Sequence, residues 1–399
     1  CALEAWREAG KEEGTRAREH LRKGVEEALA ALGQGFLAHP ENGELREALH
    51  GGALTTTDYF NQLLRLVYRL IFLLTVEERG VLHPDGVDEK AKALYAAGYG
   101  LRRLRERSVK RSAHDRFGDL WEATKIVFRG VSGGEPRLGL PALAGIFAKA
   151  QCPALDSAKL ENRALLLAVF KLSWLREESG LSRVNWRDMG PEELGSVYES
   201  LLELVPQVTT DGRQFAFATG GETKGNARKT TGSYYTPDSL VQVLLDSALE
   251  PVVKDTIAKH PENPVEALLD LAIVDPACGS GHFLLAAARR LASHVARLQA
   301  NGTPSAAEYR HALRQVVGRC IYGVDLNPMA VELCKVSLWM EAVEPGLPLT
   351  FLNSHIRHGN ALLGTTPELM AKGIPDAAWE PLEGDDKKTA SALKKRNKE

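Results

Sequence analysis

Hydrophobic residues in the first half of the chain recur every three to four positions, which is typical of amphipathic helices. This spacing predicts helices at Glu12–Leu32, Asp58–Leu74, Glu161–Leu175 and Glu192–Leu204. The second of these segments is so uniformly apolar that we expect it to be a central buried helix, capped by Thr57 or Asp58. Strand-like alternation is nearly absent before residue 205, so the pattern predicts a helical domain over residues 1–205.

The pattern changes after residue 205. A short strand is predicted at Gln214–Ala218, and the polar, glycine-rich stretch 220–229 indicates a linker within residues 206–230. Further on, apolar runs that end at Asp275 and Asp325 alternate with helical segments. Those helices are expected at Asp238–Leu249, Gly281–Gln299, Ala306–Val317 and Pro328–Ala342. Such alternation predicts an α/β domain with a parallel sheet, which we place at residues 231–399.

Composition narrows the class of protein. The 399 residues are 44% hydrophobic and 26% charged, as in a soluble globular protein, and the net charge of −2 requires any nucleic-acid surface to be local. The five cysteines lack C-x-x-C spacing, so we predict no metal site and reduced thiols in the cytoplasm. The longest apolar run is broken by Arg69, so we expect no membrane span. Because the first residue is Cys1, we expect a piece of a longer chain.

The segment 275–283 carries the clearest chemical pattern. It reads Asp275-Pro276-Ala277-Cys278-Gly279-Ser280-Gly281-His282-Phe283 and lies between a predicted strand and a predicted helix. Glycines in such a turn let the backbone approach a ligand closely, although they can also serve packing alone. The carboxylate of Asp275, placed before the glycines, suits a cationic ligand better than a phosphate.

A second acid ends the next predicted strand. Asp325 lies in Gly323-Val324-Asp325-Leu326-Asn327-Pro328, at the edge of the sheet where open α/β folds bind ligands. A carboxylate there can accept hydrogen bonds from both hydroxyls of a ribose, and it can also cap the following helix. The two roles are compatible.

A phrase upstream, Thr231-Gly232-Ser233-Tyr234-Tyr235-Thr236-Pro237, completes the pattern. Together the phrases resemble the cofactor motifs of N6-adenine DNA methyltransferases that use S-adenosylmethionine. Glu193–Leu202 and Leu66–Gly80 are also similar to helices of type I modification subunits and of Eco57I-like enzymes, some of them from phage-defence systems of the DISARM kind. The resemblance runs from about residue 54 to the end.

The resemblance implies a Rossmann-like methyltransferase domain, incomplete in this chain, after an α-helical N-terminal region. It implies double-stranded DNA as the substrate, partner subunits of a restriction-modification or defence system, and methyl transfer to an extruded adenine. Asn360 stands where this family often has an Asp that holds the adenine amino group of the cofactor, although it could also be an ordinary loop residue. The residues implied to bind S-adenosylmethionine are Tyr234, Tyr235, Thr236, Pro237, Asp275, Ala277, Cys278, Gly279, Gly281, Phe283, Asp325, Leu326 and Asn360.

The catalytic motif of the family, (Asn/Asp/Ser)-Pro-Pro-(Tyr/Phe), does not occur, because the sequence has no Pro-Pro dipeptide. We therefore expect the catalytic residues beyond Glu399 and expect these residues alone to be inactive. The alternatives are a non-catalytic assembly subunit that binds S-adenosylmethionine, or a methyltransferase of protein or RNA with the same cofactor fold. No nuclease site is predicted, since neither Pro84-Asp85 nor Glu222–Lys224 lies on a convincing strand.

A basic segment is the candidate DNA contact. Leu101–Phe117 has a marked excess of cations over acids, which could contact phosphates or could be a solvated helix face. The predicted contacts are Arg102, Arg103, Arg105, Arg107, Lys110 and Arg111.

Overall fold

The computed structural model describes residues 2–177, 180–188, 201, 204–218, 236–344, 352–364, 366–381 and 386–397, with side chains from residue 19 onward. The chain divides into two compact units, Cys1–His358 and Gly359–Glu399. Across the described residues the architecture is mostly helical with small sheets.

The first half is built from helices, as the spacing of apolar residues predicts. They are α1 (Ala2–Ala38), α2 (Gly43–His50), α3 (Thr56–Arg79), α4 (Glu89–Gly98), α5 (Leu101–Ser108), α6 (Asp119–Gly133), α7 (Pro153–Ser157) and α8 (Asn162–Ser173). Short 3₁₀ turns lie at Arg111–Ala113, Pro136–Leu138, Gly145–Phe147 and Lys149–Gln151. The expected helix at 192–204 falls almost wholly outside the described residues and stays a prediction.

Helix α3 is the central buried helix that its apolar sequence predicts. Its cap differs from the expectation: the Thr55 hydroxyl, rather than Thr57 or Asp58, accepts the N–H of Asp58 at 3.0 Å. The chain leaves the helix at Gly80, in the left-handed conformation at φ 69° that glycine adopts without strain. The helix is long and apolar enough to cross a membrane, but 89% of its apolar window is buried within the protein, as in a core helix.

Two antiparallel pairs of strands accompany these helices. Strand β1 (Trp174–Glu177) pairs with β2 (Gly180–Arg183), a hairpin that the sequence pattern did not predict. Strand β3 (Pro206–Val208) pairs with β4 (Phe215–Phe217), which confirms the strand expected near Phe215.

The second half alternates strands with helices. Strands β5 (Ile273–Asp275), β6 (Ile321–Asp325) and β7 (Ile356–His358) form a parallel sheet in that order. The helices are α9 (Asp238–Leu244), a π-helical turn (Leu245–Leu249), α10 (Glu250–Lys259), α11 (Pro264–Leu269), α12 (His282–Ala300), α13 (Ala306–Arg319), α14 (Pro328–Ala342) and α15 (Leu352–His355). The predicted helices of this half are confirmed, with the first of them continuing to Lys259 instead of ending at Leu249.

The helical half packs directly on the α/β half. The ring of Phe72 in α3 stacks on Trp339 in α14, with centroids 3.9 Å apart and planes 6° apart. Arg79, at the end of α3, donates from Nη1 to the carbonyl of Met340 at 2.9 Å. The expected boundaries near residues 205 and 230 stay a prediction, since residues 219–235 are not described.

The second unit, Gly359–Glu399, contains α16 (Pro367–Lys372), a 3₁₀ turn (Asp376–Trp379) and α17 (Lys387–Arg396). Asn397 Nδ2 donates to the carbonyl of Ile374 at 2.7 Å and closes this unit on itself. Helix α17 thus occupies most of the described residues at the end of the chain, 386–397.

Candidate functional site

The loop between β5 and α12 is tied to the end of β6 by its backbone. The N–H of Cys278 donates to the carbonyl of Val324 at 2.9 Å, and the N–H of Gly279 donates to Oδ2 of Asp325 at 2.8 Å. The carboxyl ends of β5 and β6 meet at this point, because the two strands are parallel. The structure therefore brings together the sequence motif that begins at Asp275 and the one that contains Asp325.

The two glycines of this loop have different physical roles. Gly279 has φ 51°, and a Cβ built on it would meet nothing within 4 Å, so its Cα faces open space. Gly281 has φ 89°, and its Cβ would lie 2.6 Å from Sγ of Cys334. The open space at Gly279 is compatible with a close approach of a ligand, whereas Gly281 is required by packing against α14. The contact of either glycine with the cofactor stays a prediction.

Asp325 organises the loop through both carboxylate oxygens. Besides accepting from Gly279, its Oδ1 accepts the N–H of Asn327 at 2.8 Å. The cap of α14 is the side chain of Asn327, whose Oδ1 accepts the N–H of Met329 at 2.9 Å. A carboxylate has about four acceptor positions, so each oxygen of Asp325 retains the capacity to accept one hydroxyl donor.

Asp275 is a half-buried carboxylate with little internal compensation. Its Oδ1 accepts one backbone N–H, that of Ala277 at 3.0 Å. Burial raises the pKa of Asp275; the hydrogen bond from Ala277 lowers this pKa, and the charge of Asp325 raises it again. A cationic group placed beside Asp275 would offset this desolvation.

The cysteine of the motif is structural in its side chain. Cys278 is buried and lies beside Cys334. The pKa of the Cys334 thiol is raised well above its usual range, chiefly by a hydrogen bond with Cys278 and also by burial. Buried cysteines of this kind have a structural role. Cys278 therefore serves the loop through its backbone N–H and the packing of its thiol.

Phe283 lines an apolar cleft beside the motif. The cleft has a volume of about 480 Å³ and is lined by β5, α12 and the π-helical turn, together with Asp275 and Pro276. Val274 is 61% exposed toward solvent, a high value for a strand residue.

The upstream phrase is partly visible. Tyr234 and Tyr235 lie outside the described residues, so their expected contact with the cofactor stays a prediction. Thr236 is half-buried, and Pro237 directly precedes α9, which begins at Asp238. Oδ1 of Asp238 lies 4.0 Å from Nε2 of His282, the first residue of α12. The segments that follow the two motifs are thus neighbours.

Arg290 holds this arrangement in place. From α12, its guanidinium donates to Asp246 at 2.7 Å, to Glu250 at 3.0 Å and to Gln242 at 2.7 Å. His294 adds a contact to Glu250 at 3.1 Å. A hydrogen bond with His294 and others with Arg290 lower the pKa of Glu250 despite its partial burial.

Two of the remaining predicted residues are exposed. Leu326 follows β6 and is 62% exposed, so its side chain is available to a ligand. Asn360 belongs to the second unit, where its Oδ1 accepts the N–H groups of Leu362 and Leu363. Its expected contact with the cofactor stays a prediction.

The basic segment separates into buried and exposed residues. Arg105 is buried and pairs with Glu78, while Arg103 donates to the carbonyl of Gly98 at 2.9 Å and closes α4. The side chain of Arg105 thus lies inside the protein rather than on the surface of α5, while the contact of Arg103 with DNA stays a prediction. Arg102, Lys110 and Arg111 are exposed, and their contact with DNA stays a prediction.

Comparison with known proteins agrees with this arrangement of motifs. The model of the N-6 DNA Methylase family matches residues 221–373. The match includes the loop of Asp275 and Gly279, the end of β6 at Asp325, and Asn360.

Two curated relatives are similar over part of the chain. The type II restriction enzyme and methyltransferase RM.MjaORFECS2P of Methanocaldococcus jannaschii is 28% identical over 220 residues, which are 45% of this chain and 17% of the relative. The adenine-specific methyltransferase PglX of Streptomyces coelicolor is 32% identical over 117 residues, which are 29% of this chain and 8% of that protein. The chain thus spans less than a fifth of either relative's length.

Among solved structures, the Type IIL restriction-modification enzyme MmeI in complex with DNA matches with a TM-score of 0.45 and 17% identity. The match covers 79% of this chain and 36% of that one. A TM-score below 0.5 denotes only a loose likeness.

Proposed function

We propose that this chain is the helical region and the cofactor-binding half of an S-adenosylmethionine-dependent DNA adenine-N6 methyltransferase. The observation that carries the proposal is the meeting of Asp275, Gly279 and Asp325 at the carboxyl ends of two parallel strands. The match of the N-6 DNA Methylase family model to residues 221–373 and the names of the relatives support methyl transfer to adenine in a restriction-modification setting.

The residues present fit the cofactor in charge and shape. S-adenosylmethionine carries an ammonium and a sulfonium, and the half-buried carboxylate of Asp275 is a suitable neighbour for such cations. The spare acceptor positions of Asp325 suit the two ribose hydroxyls. Open space over Gly279 leaves room for the ligand to lie on the loop backbone.

In this proposal the chain binds and orients. Asp275 faces the methionine part, Asp325 holds the ribose, and the exposed side chain of Leu326 lies against the adenine. The bound cofactor supplies an activated methyl group. The residues that act on the target adenine are proposed to lie in the longer protein, after a Rossmann-like sheet that β5, β6 and β7 begin.

The wider setting is also part of the proposal. The resemblance to defence-system methyltransferases suggests double-stranded DNA as substrate, partner subunits of the same system and a cytoplasmic location. A non-catalytic subunit with the same cofactor site is the alternative, and methylation of DNA by the full-length protein would distinguish the two.

Isothermal titration of the chain with S-adenosylmethionine tests the cofactor site. D275A and D325N should each weaken binding about tenfold to hundredfold, the scale of a lost hydrogen bond to a charged group. D255A is the matched control, because Asp255 is an exposed acid on α10 paired with Lys259. Unchanged affinity in both site variants, with folding intact, would reject the assignment.

A further inference from the structure

Four arginines from separate parts of the helical half line one cleft. The cleft has a volume of about 470 Å³ and lies between the end of α3, helix α5, strand β2 and the loop that follows β2. The arginines are Arg102 and Arg105 from α5, Arg183 from β2 and Arg187 from the loop. None of the chemistry proposed for the cofactor motif uses them.

The two acids of the cleft are already engaged by the protein. Glu77 accepts from the hydroxyl of Tyr95 at 2.5 Å and from two backbone N–H groups at the start of α5. Burial raises the pKa of Glu77 against the effect of these hydrogen bonds. Glu78 is held between Arg105, its buried partner, and Arg183, whose Nη2 lies 2.6 Å from Oε1.

The two other arginines of the cleft, Arg102 and Arg187, are exposed to solvent. Among the described residues, Arg102 forms an ion pair with Glu106 on an exposed surface, a contact of small free energy. Arg187 is exposed and makes no ion pair within the described part of the chain. With four guanidinium groups and two carboxylates on its wall, the cleft has an excess of cations over anions.

The cleft is remote from the cofactor motif. The guanidinium of Arg79 donates one hydrogen bond to the carbonyl of Arg187, a residue that lines the cleft. It donates another to the carbonyl of Met340 near the end of α14. Helix α14 begins beside Asp325 and reaches Met340 about 18 Å further along, at 1.5 Å per residue. A ligand of the cleft is therefore distinct from a ligand bound at Gly279.

We propose that this arginine cleft binds a phosphate group, with Arg183 and Arg187 as the side chains that contact it. Planar guanidinium groups match phosphate oxygens in pairs, and Arg105 and Glu78 hold Arg183 in position for this contact. The phosphate comes from the DNA backbone or from a free nucleotide. The first source rests on the proposed function, while the second is independent of it.

Substitution of Arg187 tests the proposal. Its exposed side chain makes no ion pair with the described residues, so its removal should leave the fold intact. The backbone carbonyl of residue 187, which accepts a hydrogen bond from Arg79, is retained in every variant. R187A and R187E are compared with R137A, an exposed arginine paired with Glu135 away from the cleft. Binding of a fluorescein-labelled DNA duplex is followed by anisotropy from 50 to 300 mM salt. Thermal shift with inorganic pyrophosphate is measured in parallel.

With DNA as the source, R187A weakens duplex binding at least about threefold and lowers the salt slope by about 1, and R187E does more. With a free nucleotide as the source, pyrophosphate, which carries the same phosphate groups, raises the Tm of wild type and R137A but not of R187A. Unchanged DNA binding and unchanged pyrophosphate stabilisation in both Arg187 variants, or no binding of either probe by wild type, overturns the proposal. Titration with S-adenosylmethionine separates the proposed function from the proposed phosphate site. If the chain fails to bind the cofactor but needs Arg187 for DNA binding, the proposed function is contradicted and the phosphate site is retained.

Discussion

The backbone N–H of Gly279 donates a 2.8 Å hydrogen bond to Oδ2 of Asp325, 46 residues further along the chain. This contact joins the loop after one strand to the carboxylate at the end of the next. It fixes the loop before any ligand is present, because the second oxygen of the same carboxylate is held by Asn327. A site arranged in this way loses less conformational entropy on binding.

The two glycines of the loop should respond differently to alanine. G279A adds a methyl group that meets no protein atom, so we expect only the left-handed backbone cost of about 1 kcal/mol but a large loss of cofactor affinity. G281A should destabilise the fold by more than 2 kcal/mol, since the same strain is joined by a contact of 2.6 Å with Sγ of Cys334. Chemical denaturation and calorimetry measure both effects.

The double variant G281A/C334A is the control for the origin of that cost. Removing Sγ relieves the contact and should recover part of the lost stability, while C334A alone should not stabilise the protein. Equal stability of G281A and the double variant would contradict the packing role of Gly281.

Asp275 should favour binding at the expense of stability. Burial raises the pKa of Asp275 in the folded protein above its value of about 3.9 in the unfolded chain. The stability that Asp275 contributes is therefore fully present below the pKa of the unfolded chain and is lost as pH rises through the pKa of the folded protein. D275N should therefore raise the Tm at pH 7 by about 1–3 °C, and the difference should vanish near pH 3.5. Calorimetric scans at the two pH values test this. A lower Tm for D275N than for wild type at pH 7 would show that its carboxylate is compensated in the fold.

Arg69 should be among the most sensitive positions of the core. It is fully buried and donates to Asp156 at 2.8 Å and to the carbonyls of Ile146 and Ala148. R69A leaves these acceptors without their donor and should cost about 3–5 kcal/mol in the free energy of unfolding, measured in urea. R69A/D156N should be less destabilised than the two single changes together. A cost below about 1 kcal/mol for R69A would mean that water replaces the guanidinium.

Arg290 should control the helical segment that follows the upstream phrase. R290M removes its bonds to Gln242, Asp246 and Glu250 while keeping an unbranched aliphatic side chain. We expect faster hydrogen exchange and proteolysis in residues 238–259, with a destabilisation of about 1–2 kcal/mol. R297M, in the last turn of the same helix, is the control. Equal protection of residues 238–259 in wild type and R290M would rule out this role.

Local signals in the sequence were sufficient for the helices and for the motif loop. Apolar spacing gives α3 and α14, and the glycines mark the turn after β5, because both depend on neighbours along the chain. The β1–β2 hairpin was missed because Trp174–Glu177 lacks the alternation of a half-buried strand. Two features depend on contacts between residues that are distant in the sequence, so no local pattern indicates them. One is the packing of Gly281 against Cys334, which leaves no room for a Cβ. The other is the pairing of Glu78 with both Arg105 and Arg183.

The stacking of Phe72 on Trp339 has a consequence for how such proteins can diversify. The two rings belong to halves of the chain that differ in architecture, yet each ring completes the other's core. A recombination event that exchanged one half between relatives would have to bring a matching aromatic with it or leave a void at the junction. Inheritance of the helical region and the cofactor region as one block is therefore favoured by the packing itself.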